Sequence, residues 1–164
     1  MRKLTAVLLA VVCMTAAGCE PTGVHSHAPG SVARIDAVEL RAMPSAVNWD
    51  DDPEPDGLRV EVFCYRLDKP EPAPVEGELE FLLYEGRLRA GELGSADPLL
   101  TWRFTGAELR SVMVRRLGLW GYSTQLAWGD RTPESSSVTL IARHRSPEGR
   151  IVHSAPISIS MRAR

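Results

Sequence analysis

The chain has 164 residues, with 19 basic and 21 acidic side chains, a formal charge of −2 and three cysteines. That length suits one domain with a sizeable core. The balanced charge leaves no dominant basic patch and argues against a nucleic-acid partner, and three cysteines without a CxxC pair make neither a disulfide framework nor a zinc knuckle.

Residues 1–18 come first. Arg2 and Lys3 precede an apolar run of 11 residues, LTAVLLAVVCM, and the small residues 15–18 lead to Cys19. Basic, apolar and small in that order is the pattern of a secretory signal, and the run is far shorter than the about 20 residues a bilayer span needs. Removing the signal takes away Arg2 and Lys3 and leaves 146 residues at a formal charge of −4 (17 basic against 21 acidic). Ala16-Ala17-Gly18-Cys19 resembles the lipobox of bacterial lipoproteins, whose cysteine is acylated and becomes the new N-terminus; Ala16 stands where Leu is commonest. The resemblance implies lipidation of Cys19, attachment to a membrane through an N-terminal palmitate-type anchor, and residence in the cell envelope. In Gram-negative lipoproteins the residue after the cysteine influences sorting. Glu20 is not the Asp linked to inner-membrane retention, so the implied address is the periplasmic face of the outer membrane.

Residues 19–31 mix Pro, Gly, Ser and His without hydrophobic periodicity and read as the lipidated cysteine and a flexible tether. His25 and His27 on that tether offer two nitrogens, half of a closed zinc site. The folded domain is expected over 32–164.

Within it, 33–43 reads as a first strand through Ile35, Val38 and Leu40. In 58–67 the residues Leu58, Val60, Val62 and Cys64 alternate with polar or aromatic neighbours, which predicts a second strand and a buried thiol. The proline-rich stretch 69–77 must be a loop, because proline cannot donate to a central ladder. Leu79, Phe81 and Leu83 then alternate with Glu78, Glu80, Leu82 and Tyr84, giving a third strand with one wet face. Residues 99–104 form a fourth. Thr105-Gly106-Ala107-Glu108 has the spacing of a capping box and predicts a short amphipathic helix through Leu109, Val112, Met113 and Leu117. Residues 122–128, 137–144 and 151–161 supply strands five to seven, the last two joined by a turn at 146–149. Seven or so short strands and one short helix predict a mainly β chain: a single antiparallel β-sandwich, immunoglobulin-like or related.

Asp50, Asp51, Asp52, Glu54 and Asp56 place five carboxylates in seven residues. Asp52-x-Glu54-x-Asp56-Gly57 imitates the start of an EF-hand calcium loop. Its twelfth position is Phe63 where a carboxylate is required, Pro53 and Pro55 stiffen it, and a strand follows. It reads first as a rigid lead-in to the second strand, with calcium held by Asp50, Asp52, Glu54 and Asp56 as the alternative. Trp102, Trp120, Tyr122 and Trp128 are either core or a platform for a sugar or protein partner. His144 and His153, flanking the last turn, are candidates to share a face on adjacent strands, and Glu78 and Glu80 read as a solvated strand face. No GxSxG, HExxH, P-loop or GxGxxG occurs.

The stretches NWDDDPEPDGLRVEVF and GYSTQLAW resemble bacterial lipoproteins with an uncharacterised β-sandwich domain, a resemblance that implies no particular activity. The expected function is non-enzymatic: a lipid-anchored binding or envelope-assembly accessory protein without a cofactor, whose partners are the membrane and an envelope protein. The alternative is a calcium- or carbohydrate-binding module. A hydrolase would need a pocket in which a His, a Ser and a carboxylate converge.

Overall fold

A computed structural model describes residues 30–50 and 53–161. In chain order the elements are β1 (Ala37–Ala42), β2 (Gly57–Tyr65), β3 (Glu78–Glu85), β4 (Leu100–Thr105), α1 (Gly106–Ser111), β5 (Met113–Arg116), β6 (Leu119–Ala127), β7 (Ser137–Arg145), β8 (Ile151–His153) and β9 (Ile157–Ser160). Two antiparallel sheets result. One is ordered β1-β2-β6-β5; the other is β4-β3-β7, with β8 and β9 both on the free side of β7. Hairpins β1–β2, β3–β4 and β5–β6, with β6 returning beside β2 and β7 beside β3, give the strand order of an immunoglobulin-like sandwich, β4 being an added strand on the second sheet.

The period-2 pattern explains the core. Leu58, Val60, Val62 and Cys64 of β2 all face inward, against Leu79, Phe81 and Leu83 of β3 and Val138, Leu140 and Ala142 of β7 in one buried cluster. Cys64 is a free, buried thiol whose pKa burial pushes up to about 12.

The described residues hold nine strands rather than seven, for two local reasons. The capping box forms, with Thr105 N donating to Glu108 Oε2 at 3.0 Å, yet the helix stops after six residues. Val112, Met113 and Leu117 do not continue it. Instead residues 113–116 pair with β6 through a two-residue turn at Leu117 and Gly118, both with positive φ (49° and 85°), the pattern of a type I′ hairpin. The expected last strand is divided into β8 and β9. Along β7 the three steps from Arg143 to Leu140 are matched by four steps from His153 to Ile157, so the outer strand carries one extra residue. Pro156 lies in this interruption, where its missing N–H costs no ladder bond.

The proline-rich 69–77 loop closes one end of the sandwich: Ala73 N donates to Cys64 O, and Val75 enters the core. The 86–98 segment links β3 to β4. It folds over the outer face of the second sheet, where Leu88, Leu93 and Ala96 pack on Leu82, Tyr84 and Ile141. It is pinned by Leu88 N on Thr139 Oγ1 (2.9 Å) and by that hydroxyl on Gly86 O (2.8 Å). The expected wet face of β3 is therefore largely covered.

Candidate functional site

The acidic loop is stitched to the sandwich and borders a shallow depression of 270 Å³ with Trp49, Trp128 and Thr132. Trp49 N donates to Asp56 Oδ2 at 2.7 Å, Trp128 N to Asp56 O at 3.1 Å, and Trp128 Nε1 to Pro55 O at 2.7 Å. The Trp49 ring lies over Gly57, where a Cβ would strike both that ring and Leu126 O. Asp50 and Glu54 are exposed, and Asp52, like Asp51, lies outside the described residues. Among the described residues no group of three or more His, Cys, Asp or Glu side chains is placed to hold a metal ion.

The four aromatics do not form one platform. Tyr122 and Trp128 are core residues, and the Tyr122 hydroxyl, its pKa pushed up to about 12 by burial, accepts from Val75 N at 2.7 Å. Trp102 is half-buried and bridges the two sheets, its Nε1 donating to Ala127 O at 2.9 Å. Trp120, near the start of β6, sits under the Arg115 guanidinium, 5.8 Å from the ring centroid. The polar tips of Tyr122, Trp102 and Trp128 each find a different partner, and Trp120 meets Arg115 through its ring face, so the four are scattered along the sandwich.

The two histidines also part company. His144 pairs with Val152 and His153 with Arg143, so they occupy opposite faces, because a one-residue register difference inverts a side chain. His144 is buried, and its Nε2 lies 2.7 Å from Glu76 O; since a carbonyl only accepts, that nitrogen carries the proton, and Nδ1 has no partner among the described residues. Burial lowers its pKa against the opposing pull of the Glu76 carbonyl. His25, His27 and the lipidation candidate Cys19 lie outside the described residues.

What the second sheet assembles instead is a row across four of its five strands: Arg103 of β4, Glu80 of β3, Arg143 of β7 and His153 of β8 stand directly opposite one another in turn. Glu80 is completely buried. Its Oε1 accepts from Arg103 Nη2 (2.8 Å) and Nε (3.0 Å), and its Oε2 from Arg143 Nε (2.6 Å). Burial alone would raise its pKa, but the Arg143 and Arg103 guanidiniums outweigh it and hold the carboxyl below its usual range. The reading of Glu78 and Glu80 as a solvated pair is thus corrected for Glu80, which is the buried hub of an ion cluster.

This row floors a depression of 880 Å³ on the outer face of the second sheet. Leu82, Tyr84, Leu93 and Ile141 make its apolar side, and Ser154 and Pro156 of the bulge bound the other. Burial and the nearby Arg143 lower the His153 pKa against the attraction of Glu80. A His, a Ser and a carboxylate do line one pocket here, but no hydrogen bond joins them. Ser154 Oγ accepts from Ala142 N (3.0 Å) and donates to Ala155 O (2.9 Å), which holds it in the bulge, and Glu80 is engaged by arginines. A nucleophile and base need mutual hydrogen-bond reach, and this arrangement lacks that contact.

The row was hidden in the sequence. Its one local signal is a carboxylate at position 80 inside the apolar run of β3, with Arg103 and Arg143 inside two other strands. Comparison with known proteins finds no matching family model, no matching curated protein and no matching solved structure.

Proposed function

We propose that this chain is a bacterial lipoprotein of the cell envelope, held by acylated Cys19 at the periplasmic face of the outer membrane, whose immunoglobulin-like domain is a non-enzymatic binding module for an envelope protein. The order of Arg2, Lys3, apolar run, small residues and Cys19 supports the anchor. The depression over the Arg103–Glu80–Arg143–His153 row carries the binding reading. It combines apolar walls with a few polar groups whose positions are set by pairing, the composition that recognition sites use to orient a partner. Arg103 is paired with Glu80 and lies 3.6 Å from Glu78, yet it is 59% exposed, so its outer edge is the donor that an acidic group of the partner would meet.

Two measurements test the two halves. Tritiated palmitate should label the protein in cells and fail to label Cys19→Ser, which should also leave the membrane fraction; an equally membrane-bound, unlabelled parent sinks the anchor. A photo-crosslinking side chain at Thr101 or Leu93, both in the depression, should give a discrete adduct in native membranes. The same group at Gln125, on the other sheet, should not; equal adducts from both positions sink the binding face.

A further inference from the structure

Two leucines stand out on turn tips. Leu67 is 89% exposed and Leu117 is 103% exposed. Leu117 also holds φ at +49°, the one non-glycine residue with positive φ among those described. A type I′ turn favours Asn, Asp or Gly there, and a branched apolar side chain is disfavoured both by its backbone and by its hydration. An outlier of this kind points toward use rather than stability.

Both tips project from the same end of the sandwich. Strand β2 ends at Tyr65 where antiparallel β6 begins at Leu119, so the Arg66–Lys69 turn and the Leu117–Gly118 turn are neighbours. Ile151, 41% exposed, opens β8 at that end too. The chain enters there as well: Gly30 lines one surface depression together with Lys69, Arg115, Leu117 and Trp120. Lys69 and Arg115 form no ion pair among the described residues, and Glu71 is the acidic residue of the same depression. Arg66 is paired with Asp68, and Arg116 with Glu61.

We propose that this end docks on an anionic lipid bilayer, with Leu117, Leu67 and Ile151 entering the headgroup region and Lys69 and Arg115 meeting lipid phosphates. The proximity rests on the lipid-anchor reading above. Ten residues lie between Cys19 and Gly30, a length of chain that spans at most about 40 Å. The anchor thus holds the Gly30 end of the domain near the membrane, where the raised effective concentration lets a weak interfacial contact suffice. Apolar tips beside an aromatic ring and unpaired cations are the chemistry of the bilayer interface.

The test uses the mature chain carrying Cys19→Ser, so that no acyl chain contributes, sedimented with vesicles of phosphatidylethanolamine and phosphatidylglycerol or of phosphatidylcholine alone. Binding is expected to the anionic vesicles, weaker by about tenfold for each of Leu67→Ser and Leu117→Gly. Leu117→Gly relieves the positive φ, so its melting temperature should hold or rise, and lost binding cannot be put down to unfolding. Absence of binding by the parent, variants that bind as the parent does, or a change in oligomeric state in place of vesicle binding would each overturn the proposal. Palmitate labelling of the unsubstituted protein is read separately, so a failed anchor and a failed docking face give different results.

Discussion

Glu80 on β3 and Arg143 on β7 stand directly opposite each other, and Arg143 Nε donates to the fully buried Glu80 Oε2 at 2.6 Å. Arg103 completes the arrangement from β4, so one carboxylate ties three strands together on the outer face. An amide at this position keeps one acceptor oxygen but loses the negative charge and sets an NH2 donor against one of the two guanidiniums. Glu80→Gln should therefore destabilise the domain by about 1–3 kcal/mol, below the range for a wholly buried pair because Arg103 is largely exposed. Arg143→Ala should cost more than Arg103→Ala, since Arg143 is 24% exposed against 59%. Urea unfolding of the three variants checks the order.

The buried His144 makes stability depend on pH. Its folded pKa is lowered from the ordinary 6.5, chiefly by burial, so the unfolded chain binds the proton more readily. The contribution of neutral His144 is fully present above pH 6.5 and is lost as the pH falls from there through the folded pKa. His153 has the same sign, with Arg143 and Glu80 facing it in opposite senses. The melting temperature should drop between neutral pH and the acid side of this window, and His144→Leu should flatten that drop.

Cys64 should be chemically silent in the folded protein. Its burial and a pKa near 12 leave almost no thiolate at neutral pH. A thiol-reactive dye should label it only on unfolding, at the rate of global opening; rapid labelling in native buffer would contradict the buried placement.

Two strand glycines are closed to any side chain. At Gly57 a Cβ meets Leu126 O and the Trp49 ring; at Gly121 it meets the Phe63 ring at 2.7 Å and Val62 O at 2.8 Å. Phe63 is buried in the niche that Gly121 leaves, with the Arg41 guanidinium 4.8 Å from its ring centroid. Gly57→Ala and Gly121→Ala should each cost about 1–3 kcal/mol, because backbone carbonyls cannot swing aside as side chains do. Thermal unfolding measures both.

Leu117→Gly should act in the opposite direction and stabilise the domain by about 1 kcal/mol, since it removes the left-handed penalty at the hairpin tip. A lower melting temperature for this variant would show that Leu117 packs in the folded state, against its complete exposure.

The sequence by itself determined the β class, the sandwich and the inner face of each long strand. Alternation along 58–64 and 79–83 is a local property, and burial of Leu58, Val60, Val62, Leu79, Phe81 and Leu83 follows from it without knowledge of partners. The capping box at Thr105 was legible for the same reason. Only the tertiary structure decided the outer faces. A strand keeps its alternation under any two-residue slip, so nothing local says that Glu80 meets Arg103 and Arg143, or that His144 and His153 point apart. Residues 112–117 carry helical spacing and strand propensity together, and the open edge of β6 settled the choice by offering a ladder. The covered face of β3 likewise belongs to the 86–98 segment, which brings its apolar residues from outside the strand. Period governs which side of an element is apolar; pairing register and the path of loops, both non-local, govern which polar groups meet.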